Sequence, residues 1–209
     1  MKQKRDNVYI WCTWLTKYIT GESQCEFATW LKAHYKLDKR PSTFNSRKWN
    51  IDHTQLLHKH RDELEAQGYV VKLEDQNSFK MCYPKGITVS GKADIVGLVL
   101  NPNGTIVSGL VDDCKTGRPK DSDQVQVMLY MLFLPAYVKA YEGVRFDGNV
   151  IYNDSKVPIG WAEVDSSFKE LVDALIKRIG ADKPCRKVPS LGECRYCDLT
   201  KQDCPERME

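Results

Sequence analysis

The order of apolar patterns along the chain predicts a mixed α/β fold, with a mixed central sheet covered by helices on both faces. Three observations carry that prediction. Helix-length amphipathic stretches bracket several short strand-like runs. Two of those runs, Ile95 to Leu100 and Thr105 to Val111, meet at Asn101-Pro102-Asn103-Gly104, the composition of a hairpin turn. A long apolar stretch, Ser122 to Tyr141, then stands where a crossover helix would carry the chain to its next strands.

Taken in order, Val8 to Tyr35 has aromatic and apolar positions at helical spacing and reads as mainly helical, interrupted at Gly21. Lys36 to Ser46 is a polar, proline-containing connection. Trp49 to Gln67 is a further helix, with Gly68 as its stop signal. On that helix His53, Leu56, Leu57, His60 and Leu64 share one face, while His58 falls on the polar side with Lys59 and Asp62. Tyr69-Val70-Val71 starts a strand carrying Glu74, with Phe79 to Tyr83 as its expected hairpin partner. After the Ile95 hairpin comes the Ser122 helix, kinked at Pro135. Strands at Gly148 to Tyr152 and Val157 to Val164 and an amphipathic helix from Phe168 to Ile179 follow. From Pro184 onward the chain is loop-like and rich in cysteine. The expected division is a core over residues 1–183 and a cysteine-rich tail over 184–209 that packs on the N-terminal helices.

The chain has 209 residues, enough to bury a real core. A net charge of +3 is too small to indicate a partner, although Lys32, Lys36, Lys39, Arg40, Arg47 and Lys48 cluster in the first quarter. No run reaches the roughly 20 apolar residues that cross a bilayer, and no small-residue cleavage site follows the N-terminus. The expected compartment is the cytoplasm, with no membrane partner. There, eight cysteines point to metal rather than to disulfides.

The chemistry concentrates in Val111-Asp112-Asp113-Cys114-Lys115-Thr116-Gly117 and in Gly91-Lys92-Ala93-Asp94. On a strand, residues two apart share a face, so Asp113 and Lys115 project together while Asp112 and Cys114 point the other way. Closing the hairpin brings Asp94 to Asp113. Two carboxylates make a site for Mg²⁺ or Mn²⁺, and a neighbouring lysine can neutralise charge that develops on a reacting phosphoryl group. That is the equipment of a phosphodiester hydrolase. A histidine on the inner helix face would add a neutral ligand. Gln126 and Tyr130, one turn apart on the crossover helix, can hydrogen-bond phosphate or hold the lysine.

The tail carries Cys194-Arg195-Tyr196-Cys197 and then Cys204. Three clustered thiols without histidine fit a tetrathiolate zinc site or an iron–sulfur cluster, and both need a fourth cysteine, with Cys185 and Cys25 as candidates. Cys12, Cys82 and Cys114 read as buried small hydrophobes.

Gly91-x-x-Asp94, Asp113-x-Lys115 and Gln126-x-x-x-Tyr130, in this order, resemble the PD-(D/E)XK nucleases of the RecB type. The terminal cysteines resemble the iron–sulfur branch that includes CRISPR-associated RecB-like exonucleases and AddB-type nuclease domains. The resemblance runs from about Ser23 to Arg207. It implies a restriction-endonuclease-like fold and metal-dependent DNA cleavage, often of single strands from an end. Carried across, Asp94 and Asp113 match the metal-ligand acids and Lys115 the catalytic lysine. Gln126 and Tyr130 match the helix motif near the DNA, and His53 matches the upstream histidine ligand, with His60 as runner-up. The Cys114 carbonyl is a further candidate ligand, and Glu74 a residue standing behind the ligands. Cys25, Cys194, Cys197 and Cys204 match the ligands of a 4Fe–4S cluster, with structural Zn²⁺ as the alternative. The gap from Cys197 to Cys204 and the stretch from Asp94 to Asp113 are longer than that pattern. The implied partners are DNA with single-stranded or free ends and proteins of a recombination or CRISPR-type system. A non-catalytic nucleic-acid-binding module and an iron–sulfur redox protein are the competing classes; the first would have lost an acid or the lysine, and the second leaves Asp94, Asp113 and Lys115 unused.

Overall fold

A computed structural model describes residues 3–38 and 45–208; Lys39 and Arg40 of the basic cluster lie outside them. The described chain runs β1 (Gln3–Lys4), β2 (Val8–Trp11), α1 (Thr16–Ile19), α2 (Phe27–His34), β3 (Tyr35–Lys36), α3 (Ser46–Ala66), β4 (Val70–Leu73), β5 (Ser78–Tyr83), β6 (Ile87–Lys92), β7 (Ile95–Leu100), β8 (Ile106–Lys115), α4 (Asp121–Tyr137), β9 (Phe146–Tyr152), β10 (Lys156–Ile159), α5 (Ser166–Gly180) and α6 (Leu191–Arg195). It is a mixed α/β protein. Two compact units divide it: Met1–Phe44, Cys82–Val89 and Glu170–Glu209 form the first, and Asn45–Met81 with Ser90–Lys169 the second. Among the described residues no helix is long and apolar enough to cross a membrane.

The second unit is built on a five-stranded sheet in the order β10-β9-β8-β7-β4. The β8–β9 pair is parallel and the other neighbours are antiparallel. A parallel pair needs a crossover, and α4 supplies it. The middle strand, β8, is buried on both faces along its C-terminal half. Cys114 packs with Leu56, Leu57 and Leu64 of α3 on one face, while Lys115 bonds to Gln126 of α4 on the other. Adjacent residues of a strand point oppositely, so α3 and α4 cover opposite faces of this sheet.

Local chemistry explains the boundaries of α3. Asn45 caps it, its side-chain oxygen accepting from Lys48 N at 3.0 Å. Its buried residues are His53, Leu56, Leu57, His60 and Leu64, the predicted face. At the far end Gly68 takes φ +90°. The N–H groups of Gly68 and Tyr69 then reach back to the carbonyls of Glu65 and Leu64, closing the helix in a Schellman motif. The β7–β8 hairpin turns where expected. Asn101 Oδ1 accepts from Asn103 N and Thr105 N, and Gly104 sits at φ +79°.

Four local expectations are corrected. Val8–Trp11 is a strand, not helix; a short apolar run has no period that separates the two. Phe79 to Tyr83 lies in β5, which pairs with β6, while β4 pairs with β7. Glu74 lies past the end of β4 in a short 3₁₀ turn with φ +35°. The strand predicted to reach Val164 ends at Ile159, and a 3₁₀ turn, Trp161–Glu163, follows. Pro135 falls in the last turn of α4, two residues before the helix ends.

In the first unit β1 pairs with β3. Chain-distant segments meet through side chains. Trp30 Nε1 donates to Ala181 O at 2.7 Å, and Arg178 grips Glu26 with two bonds of 2.7 and 2.6 Å. Glu193 accepts from Ser23 Oγ and Gln24 N, both at 2.7 Å.

Candidate active site and cysteine cavity

The register Ile95↔Asp112 places Asp94, the next residue out, across from Asp113. From there a continuous set of contacts runs through the second unit. His53 Nε2 stands 3.1 Å from Asp94 Oδ2, which also accepts from Cys114 N at 2.9 Å. Asp113 Oδ2 is ion-paired with Lys115 Nζ at 2.6 Å, and Asp113 Oδ1 accepts from Gln126 Nε2 at 2.6 Å. Lys115 Nζ donates to Gln126 Oε1 at 3.0 Å, and Gln126 Nε2 also reaches the Tyr130 hydroxyl at 3.0 Å.

Asp113 is fully buried. Burial first, and Asp94's charge second, push it up to about 7, against the pull of Lys115. Burial lowers Lys115, but its pairing with Asp113 outweighs that and holds it above its ordinary value. The bond to Asp94 raises His53 despite its burial. Asp113 Oδ2 has a charge partner but no well-aligned hydrogen bond. A buried carboxylate that holds a proton near neutrality beside a second carboxylate is a site whose charge a cation would relieve.

His53 therefore joins the acids, and His60 does not. His60 Nε2 lies 2.6 Å from Asp112 Oδ2 and its Nδ1 3.2 Å from Glu63. Asn149 donates to the other oxygen of Asp112 at 2.6 Å. Burial lowers His60, yet the two carboxylates raise it overall. The resemblance puts Gln126 and Tyr130 near DNA. Tyr130 is only 2% exposed, and its hydroxyl accepts from Gln126 Nε2. The Cys114 side chain is in the α3-side core. Glu74 adds charge that His53 feels, and its N–H donates to Asp94 O at 2.9 Å.

Two residues escape a sequence reading. Asp123 accepts from the Tyr152 hydroxyl at 2.9 Å, and its charge raises both Asp113 and Lys115. Its place one turn before Gln126 on α4 was a usable signal. Tyr152, from the next strand over, had none.

The first unit holds a cavity of about 660 Å³ whose lining includes Cys25, Cys194, Cys197 and Cys204. Burial is the main cause that raises Cys197 and Cys204, and the Cys25 charge adds to both. Cys185 is not in that lining; its Sγ donates to Arg178 O at 3.4 Å. Cys82, expected to be buried, is exposed. Among the described residues no three His, Cys, Asp or Glu side chains are gathered tightly enough to hold a single metal ion. Of the basic cluster, Lys32 pairs with Asp198 at 3.1 Å and lies over the Trp14 ring, while Arg47 and Lys48 are exposed on the first turn of α3.

No family model matches this chain, and no curated protein does. The solved structure of a protein named SSO0001 is similar to 99% of this chain and 89% of that one, at 18% identity and a TM-score of 0.47.

Proposed function

We propose that this chain is a Mg²⁺- or Mn²⁺-dependent DNA nuclease of the PD-(D/E)XK type, RecB-like, with a restriction-endonuclease-like core that hydrolyses phosphodiester bonds of single-stranded or free DNA ends. The observation that carries the reading is the contact chain His53–Asp94 and Asp113–Lys115–Gln126, drawn from α3, the β7–β8 hairpin and α4. Asp94 and Asp113, with His53, are the residues that would hold the ion, drawing closer around it than they stand without it; the Cys114 carbonyl is a further candidate. Held by these residues, a divalent ion would supply polarisation of a phosphoryl oxygen and a more acidic bound water.

The chain's own residues do the rest. Gln126 fixes Lys115 beside Asp113, so the ammonium stands ready for charge developing on phosphorus without reorganising. Tyr130 holds Gln126 in turn. Cys25, Cys194, Cys197 and Cys204 would hold a 4Fe–4S cluster. A cluster keeps its thiolates farther apart than one zinc ion does, which suits cysteines spread around a cavity rather than drawn into a knot. Colour separates the two: iron–sulfur protein is brown, zinc protein colourless.

The deciding experiment is cleavage of end-labelled single-stranded and duplex DNA with Mn²⁺ by the wild type, Asp113→Ala and Lys115→Ala. Cutting abolished by EDTA and by both substitutions is the expected result. A cluster-loaded wild type that binds DNA but never cuts would make the chain a binding module.

A further inference from the structure

Arg207 sets a permanent positive charge in the lining of the cavity that Cys25, Cys194, Cys197 and Cys204 share. We propose that its guanidinium is the countercharge of the iron–sulfur cluster and makes one-electron reduction of that cluster easier; the proposal rests on the cluster reading above and names a residue that tunes the cluster without binding it.

The tail builds the arrangement locally. Cys204-Pro205-Glu206-Arg207 forms a tight turn with proline at its second position, closed by Arg207 N donating to Cys204 O at 3.0 Å. The side chain then crosses to the other pair of cysteines, where Nη1 donates to Cys197 O at 3.4 Å. One residue thus ties the backbone of Cys204 to that of Cys197. Arg207 is only 7% exposed. A guanidinium does not give up its proton, so burial cannot make it neutral, and a buried cation needs an anion. Among the described residues no carboxylate stands within ion-pair distance of Arg207. Lys32 and Lys187 of the same lining have partners of their own, Asp198 at 3.1 Å and Glu206 at 2.7 Å, and Glu193 is held by Ser23 and Gln24. What the Arg207 charge does reach is the Cys197 thiol, where it opposes the effect of burial. Four thiolates on an iron–sulfur core leave net negative charge, and an added electron deepens it. A fixed cation alongside therefore stabilises the reduced state more than the oxidised one.

A merely structural Arg207 would hold the tail in place and leave the electron equilibrium alone. Wild type, Arg207→Lys, Arg207→Gln and Arg207→Met are purified without oxygen and titrated with dithionite against redox dyes, the reduced cluster being followed by electron paramagnetic resonance. Lys keeps the charge, Gln keeps a donor for Cys197 O, and Met keeps only bulk. The expected result is that Gln and Met each make reduction about tenfold less favourable, which is about 59 mV for one electron, while Lys stays near wild type. Loss of the cluster from Gln and Met but not from Lys carries the same meaning, because the charge is what separates them. Gln or Met reduced at the wild-type potential, Lys shifted as far as Met, or loss of the cluster from all three overturns the countercharge and leaves the cluster reading standing. Wild type that stays colourless when supplied with iron and sulfide overturns both.

Discussion

The fold resists the ionisation of Asp113. Its proton is held to about pH 7 instead of the ordinary carboxylate range because burial and Asp94 disfavour the charge. A folded-state pKa above the unfolded value means the native state binds the extra proton. In EDTA the stability this group contributes is therefore full below about pH 4 and lost as pH rises towards 7. Asp113→Asn flattens that part of the profile, as paired melts at pH 5 and pH 8 would show. On the proposed reading Mn²⁺ competes with the same proton, and it is expected to raise the wild-type melting temperature more at pH 8 than at pH 6 and to do little for Asp113→Asn. On the nuclease reading Lys115→Met removes the preorganised cation and is expected to lower kcat by roughly 100- to 1000-fold. Gln126→Leu, which only releases that cation, costs about 10- to 100-fold in the same assay. On the opposite face Asp112 is fully buried with His60 and Asn149 as partners. His60→Ala strands its charge and destabilises by about 3–5 kcal/mol in urea unfolding.

At the scale of elements, the site depends on how closely α4 lies on the sheet. Gly148 of β9 faces that helix, and a Cβ built there would stand 2.3 Å from Val127 Cγ1 and 2.8 Å from Met131 Sδ. Gly148→Ala must push α4 outward. It is expected to cost about 1–3 kcal/mol in urea unfolding and to lower activity, because Gln126 moves with the helix. The same closeness shows what was legible beforehand. The buried stripe of α3, its glycine stop, the β7–β8 hairpin and the shared face of Asp113 and Lys115 all follow from local period and turn chemistry. Choice of strand partner is not local: β5 paired with β6, and β4 with β7, because of sheet order that no run of residues encodes by itself. For the same reason Asn149 and Tyr152, which reach Asp112 and Asp123 from β9, had no signature. Tyr130 was legible as a partner of Gln126 but not as a buried one.

At the scale of the whole molecule, the two proposed chemistries occupy separate units. His53, Asp94, Asp113, Lys115 and Gln126 lie within the second unit, and Cys25, Cys194, Cys197 and Cys204 within the first. On the proposed reading the cluster is a staple, since joining Cys25 to the tail closes a long loop and limits the unfolded chain. Cys197→Ala is expected to lose the brown colour and melt at a lower temperature, while its surviving folded fraction still cuts DNA. Normal folding of that variant without metal would contradict a structural cluster. Cys185→Ser, outside the cavity lining, is expected to keep the colour. The first unit is also interrupted twice in sequence, and its last segment begins only at Glu170. On the ribosome, therefore, the segments of the second unit have all been synthesised while Cys25 still lacks the residues that complete its cavity, so any cofactor delivered there arrives late, to a chain whose other half has had time to fold.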